Sequence, residues 1–195
     1  VSKRLIDSER ITRAVREILE AIGEDPEREG LLETPARVAQ MYEEILGGVE
    51  EDGYELIRSS VYHEQHEELV LLRDIDFYSI CEHHLMPFLG KAHIAYIPKG
   101  TICGLSRIVR AFSHLCRRPQ VQERLTWQMA DMLQATMRPH GAAVVLEARH
   151  LCMELRGVKK RGSIVTTSAL RGIFHTNPPS RAELFRLIQG RDEVL

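Results

Sequence analysis

Near the start of the chain Ile11, Val15, Ile18, Leu19 and Ile22 fall on one helical face, and Gly23 stands where a C-terminal cap belongs. This spacing predicts a first amphipathic helix. Thr34-Pro35, read as an N-cap and a first-turn proline, opens a second. Its stripe is Val38, Met41, Tyr42, Ile45 and Leu46, and Gly47-Gly48 end it. From Val49 to about Glu67 the pattern dissolves into a polar connection. The expected division is therefore an N-terminal helical appendage, residues 1–66, and a main domain, residues 67–195.

The main domain reads as hairpin, helical pair, hairpin. Glu68 to Ile80 and Lys91 to Pro98 have strand composition, with Pro87 and Gly90 breaking the segment between them. Leu105 to Cys116 and Val121 to Met137 carry helical periodicity on either side of Arg117-Arg118-Pro119, the proline suiting the first turn of the second helix. Ala142 to Glu154 and Ser163 to Ile173 return to strand-like composition, and Ser180 with Glu183 forms a capping box for a last helix, Arg181 to Ile188. The order predicts an α+β fold: an antiparallel sheet of about four strands with paired helices on one face. The other face and the edges must then be solvated, or wrapped against further copies of the chain.

Composition narrows the function classes. With 195 residues, 44% of them apolar, the chain can bury a substantial core. Lys plus Arg number 26 against 28 acids, so no overall field gathers a polyanion, and any phosphate chemistry must come from local clusters. No apolar run approaches the ~20 residues of a membrane span, and the start VSKRLIDSER lacks the apolar core and cleavage site of a signal peptide. The expectation is a soluble cytoplasmic protein with neither membrane nor nucleic acid as partner. Four cysteines in a chain this long are not a secreted disulfide framework.

The most informative stretch is Cys81-Glu82-His83-His84. Cys81 and His84 can direct a thiolate and an imidazole at one ion, and His150-Leu151-Cys152, at the end of a predicted strand, adds a second pair by strand alternation. Cys81, His84 and Cys152 are thus three ligands of the kind zinc prefers, with His83 and His150 nearby. Three ligands leave a position for water and point to hydrolysis, whereas a fourth, from Cys103, Cys116 or a spare histidine, would make the site structural. A Cys81–Cys152 disulfide and core packing of the paired histidines are the other readings. Positive charge clusters on both sides: Arg107 and Arg110 share a helical face, and Arg156 lies in a second basic stretch. No glycine cradle of the P-loop type is present. Glu123, after Gln122, is an isolated acid in a basic run. One carboxylate can accept the N1–H and 2-amino donors of guanine together, although the helix dipole alone also explains an acid there.

Together these blocks resemble a family. CEHH from Cys81, AYIPKGTICGLSRIVR from Ala95 to Arg110, RPQVQERLT from Arg118 to Thr126, HLCM from His150 followed by Arg156-Gly157-Val158, and TPARVAQMY from Thr34 to Tyr42 are similar to the signature blocks of GTP cyclohydrolase I. A zinc nucleobase deaminase, by contrast, needs a Cys-x-x-Cys that the chain lacks. The resemblance implies a tunnelling fold, with five subunits in a ring, two rings stacked as a homodecamer, and active sites between subunits. It implies zinc on Cys81, His84 and Cys152, His150 as the acid at guanine N7, and His83 assisting proton transfer near the ribose. Glu123 with Gln122 would read the guanine edge. Ser106, Arg107, Arg110 and Arg156 would hold the triphosphate, and Arg37 would reach another subunit's site. The implied reaction converts GTP to 7,8-dihydroneopterin triphosphate and formate, opening tetrahydrofolate biosynthesis under allosteric control. The family commonly writes GLSK where this chain has GLSR, so Arg107 keeps the charge and changes the hydrogen-bond geometry.

Overall fold

In the computed structural model, which describes residues 6–47 and 52–190, the chain forms two compact units that divide between residues 50 and 51. The first holds α1 (Ser8–Ala21) and α2 (Thr34–Leu46). Asp7 caps α1, its carboxylate accepting the Arg10 N–H at 2.9 Å. The start of α2 is shifted one residue from the expectation. Thr34 is already helical, Glu33 occupies the cap position without a side-chain bond, and Pro35 lies in the first turn, where its missing N–H costs nothing. Gly47 ends the helix, and Gly48 lies outside the described residues.

The second unit begins inside the stretch read as polar connection. Asp52 caps a short helix, α3 (Gly53–Arg58), and β1 (Val61–His63) pairs antiparallel with β4 (Thr101–Cys103). Six residues are too few to display a helical period, yet Leu56 and Ile57 are 3% and 0% exposed. Their burial comes from packing on the helical pair α4 (Leu105–Cys116) and α5 (Gln122–Met137).

That pair covers a sheet of five strands. Their order is β5-β2-β3-β6-β7, built from β2 (Val70–Cys81), β3 (Pro87–Ile97), β5 (Pro119–Gln120), β6 (Gly141–His150) and β7 (Ile164–Gly172). Four strands are antiparallel, while β5 adds in parallel outside β2 with Cys81 opposite Gln120. Pro119 therefore belongs to a strand, not to the first turn of α5. Pro87 and Gly90, residue types that mark a break in the sequence pattern, also lie within β3. Proline is tolerated as the first residue of a strand. A side chain at Gly90 would meet the Glu147 carbonyl oxygen at 1.8 Å, so the glycine lets β3 and β6 approach.

Alternation sorts the two faces. Phe88, Ala92, Ile94, Tyr96, Val144 and Leu146 face α4 and α5, and each fully buried large side chain contributes about 1.5–3 kcal/mol. A bulge between Leu72 and Ile75, with Asp74 at φ 58°, brings residues of opposite parity in β2 onto this face. Ala95, Ala143 and Val145 face the other way, against α7 (Ile173–Thr176) and α8 (Pro178–Gln189), so the second face is partly covered as well. The cap of α8 is Asn177, which accepts the Ser180 N–H at 2.9 Å, and the helix starts three residues before the expected Arg181. No helix among the described residues is long and apolar enough to cross a membrane.

Candidate active site

One end of the sheet gathers the chemistry. Cys81 is the last residue of β2, and a tight turn into β3 follows. The Leu85 N–H bonds the Cys81 carbonyl at 2.9 Å, the Cys81 N–H bonds the Met86 carbonyl at 2.8 Å, and Leu85 takes φ 52°. This turn carries His84 back toward Cys81. On the far side β6 ends at His150 and the chain becomes helical at once in α6 (Leu151–Glu154), so a helical turn presents Cys152. The expected strand alternation of His150 and Cys152 is thus replaced by a strand-to-helix corner. The result still brings Cys81, His84 and Cys152 together, with one ligand atom from each within 4.8 Å of the others.

The donor set fits zinc. Two ligands ~2.3 Å from a tetrahedral ion lie about 3.8 Å apart, within small side-chain rotations of this arrangement. Burial, and then the nearby Cys81 sulfur, push the Cys152 thiol above its ordinary range, a crowding that a cation relieves. All four cysteines are free thiols. Cys103 lies in the core, its sulfur 3.0 Å from Ser60 Oγ, and burial strongly raises the Cys116 thiol, so both are engaged elsewhere as small buried groups.

His150 stands beside this group with its ring stacked on Phe88, centroids 4.8 Å apart and planes at 2°. The two residues are opposite one another in the β3–β6 ladder. Burial lowers the His150 pKa, and the Glu123 carboxylate pulls it back up. His83 is exposed in the turn, its Nδ1 3.9 Å from the Cys81 sulfur. Glu123, itself exposed in the first turn of α5, lines an open cleft of about 510 Å³ with Trp127, Thr167, Ser168, Arg171 and His175.

Gln122 departs from the expectation that it reads guanine beside Glu123. It is 1% exposed, and its amide is engaged inside the protein: Oε1 lies 2.7 Å from His150 Nε2, while Nε2 donates to Leu146 O, Val165 O and Thr167 Oγ1. The amide nitrogen is thus fully engaged by the protein's own oxygens, and the amide oxygen faces His150.

Three structural partners carried no signal in the sequence. Arg124 grips Glu82 with two bonds of 2.5 and 3.1 Å, fastening the start of α5 to the ligand turn and holding the Glu82 carboxyl below its usual range. Arg149 makes a similar fork to Glu154, at 2.8 and 2.6 Å, across the corner that carries His150 and Cys152. Phe88, under His150, reads in sequence as an ordinary core residue.

The expected phosphate-binding arginines and serine do not all lie together. Arg156 is at the site, its Nη1 3.0 Å from His84 Nε2. Ser106, Arg107 and Arg110 are on the first turns of α4, whereas the C-terminal end of that helix meets the metal end of β2, where Ser79 Oγ donates to the Cys116 carbonyl at 2.7 Å. At ~1.5 Å per residue, Ser106 is about 15 Å along the axis from Cys116. Arg37 is exposed on α2 in the first unit, paired with Glu33.

A family model described as GTP cyclohydrolase I matches residues 11–189. The chain belongs to the GTP cyclohydrolase I family. The GTP cyclohydrolase 1 of Caldanaerobacter subterraneus subsp. tengcongensis is similar at 57% identity over 189 residues, covering 96% of this chain and 100% of its own. That of Clostridioides difficile is 57% identical over 184 residues, 94% of this chain and 97% of its own. The Halalkalibacterium halodurans protein is 55% identical over 186 residues, 95% and 98%. With the family's signature blocks spread over the whole of that match, the chain is an enzyme of the GTP cyclohydrolase I type.

Proposed function

We propose that the chain converts GTP and water to 7,8-dihydroneopterin triphosphate and formate, the opening step of tetrahydrofolate synthesis, and that it does so in the cytoplasm. The observation that carries the site assignment is the convergence of Cys81, His84 and Cys152 beside His150 in a chain of this family. Zinc held by those three residues would supply an activated water for hydrolysis at C8 of the purine.

The chain's own groups do the remaining work. His150, floored by Phe88, gives a proton to N7, which makes C8 electrophilic. The exposed His83 moves protons near the ribose as the sugar opens and rearranges. Two additions of water cleave the imidazole ring and release C8 as formate, and loss of one water on reclosure forms the pterin. The Glu123 carboxylate accepts the N1–H and 2-amino donors of guanine. Arg156 takes a phosphate, with a fork that matches its oxygens.

Ser106, Arg107 and Arg110 complete the triphosphate site from a neighbouring copy, a reading supported by their distance along α4 from the metal group of their own chain. The nine-residue edge strand β7, with Ile164 63% exposed, offers an unpaired backbone for such a neighbour. On this reading the second unit is the catalytic, tunnelling-fold part, assembled as a decamer of two stacked five-membered rings. Arg37 of the helical unit reaches the site of another subunit.

Incubating the zinc-loaded protein with GTP, with and without a chelator, tests the proposal. Chelator-sensitive formate and pterin in equal amounts are the expected result. A folded, zinc-containing sample that yields neither overturns it.

A further inference from the structure

We propose that Gln122 is a positioning residue that locks His150 into one tautomer, with the ring proton on Nε2 and the lone pair on Nδ1, so that Nδ1 is the atom through which His150 exchanges the reaction's proton. The catalytic half of this statement rests on the reading of His150 as the proton donor. The tautomer itself rests on hydrogen bonding alone.

The neighbours of the Gln122 amide decide which way it faces. Its nitrogen lies 3.1 Å from Leu146 O and 2.9 Å from Val165 O, two backbone carbonyls on neighbouring strands that can only accept. Its third neighbour, Thr167 Oγ1 at 3.1 Å, is also an acceptor. The reason lies one bond further on. Thr126 Oγ1 spends its single proton on the main-chain carbonyl of Gln122 at 2.6 Å, so in the 2.7 Å contact between the two threonine hydroxyls Thr167 must be the donor. The Thr167 oxygen is then left to accept from Gln122. Turning the amide over would set Oε1 against two carbonyl oxygens at the 1%-exposed Gln122 side chain, where an unmet polar atom costs about 1–3 kcal/mol.

The oxygen therefore faces His150 Nε2 at 2.7 Å, and an amide oxygen can only accept. Nε2 must carry a proton. A neutral imidazole has one proton, so Nδ1 is bare, and in the cation the second proton sits on Nδ1 with the Gln122 bond unchanged. Flipping the ring would place a C–H against Oε1 and lose the bond, while the stack on Phe88 keeps the ring in its plane. Gln122 thus holds one ring orientation through both protonation states, and only one nitrogen is left to trade protons.

Neutron diffraction from deuterium-exchanged crystals of the zinc-loaded, substrate-free protein reads this directly. The expected map has a deuteron on His150 Nε2 aimed at Gln122 Oε1, with or without a second on Nδ1, and both Gln122 amide deuterons aimed at the three oxygens. A bare Nε2, or an inverted amide, overturns the proposal. The kinetic arm is Gln122→Met, checked for unchanged zinc content and assembly. It should lower kcat about 100-fold at unchanged KM for GTP, the scale of a misplaced catalytic group. A kcat within about 2-fold of the parent's would remove the positioning role. The deuteron map needs no turnover, so it stands where Gln122→Met fails to fold. A parent protein that released no formate would refute the proposed reaction and leave the tautomer to be decided by the map.

Discussion

Zinc can enter the Cys81, His84 and Cys152 group only by displacing protons, because the thiolate is the ligand and the thiol is not. Burial and the neighbouring Cys81 raise the Cys152 thiol, so Cys152 remains protonated around neutrality and contributes one proton to the exchange. That proton makes affinity climb by about 10-fold per pH unit around neutrality, or ~1.36 kcal/mol per unit. Cys152→Ser removes that proton along with a ligand. Its affinity should be weaker at every pH and should climb about 10-fold per unit less steeply than the parent's. The assay is competition for zinc with a chromophoric chelator at a series of pH values, paired with proton release in weak buffer read by an indicator dye. A pH-independent affinity, or the same slope in parent and variant, would refute the assignment of Cys152 as a thiolate ligand.

Other expectations follow from single contacts. Arginine can only donate, so the Arg156–His84 bond needs a bare Nε2, and a metal-bound neutral imidazole has none: one nitrogen binds the ion and the other carries the proton. Zinc must therefore release Arg156, and Arg156→Met should bind zinc up to about 10-fold more tightly while raising KM for GTP. Phe88→Leu removes two ring pairs, with Phe77 at 6.1 Å and His150 at 4.8 Å. It should cost about 1–3 kcal/mol, seen as a lower melting temperature, and should reduce kcat more than it changes KM. Burial raises the Tyr96 phenol above its ordinary 10.0. A raised folded-state pKa gives stability that is complete below that ordinary value and lost as pH rises through the folded one, so the parent's melting temperature should drop above about pH 10. Tyr96→Phe should flatten that drop, while starting lower because the Cys103 N–H loses its acceptor.

What the sequence disclosed depended on how local each cause was. The bounds of α4 were legible because Leu105 to Cys116 repeat with a helical period between Gly104 and Arg117-Arg118-Pro119. The candidate metal ligands were legible because cysteine and histidine are few and their chemistry narrow. What stayed hidden was set by partners distant in the chain. The two residues of β5 are a strand only because β2 lies alongside, and α3 is fixed by the helices that bury Leu56 and Ile57. Gln122 looked like a ligand-binding amide beside an acid. Only the arrival of β6 and β7 on α5 shows that its bonds are already taken. The Cys152 ligand was found for a partly mistaken reason, since composition could not mark where β6 gives way to a helical turn.

That corner also bears on the order of assembly. The β2–β3 hairpin can close early and offer Cys81 and His84 as a weak two-ligand pair, but Cys152 arrives only when β6 has zipped onto β3, a pairing of segments distant in sequence and therefore slow. Metal capture at this group would thus be a late event that reports a completed sheet. An ion that binds only the finished form adds stability with its concentration, about 4 kcal/mol at a thousandfold excess over its Kd. The zinc supply of the cell would therefore set how long each chain stays folded, as well as how fast it turns over.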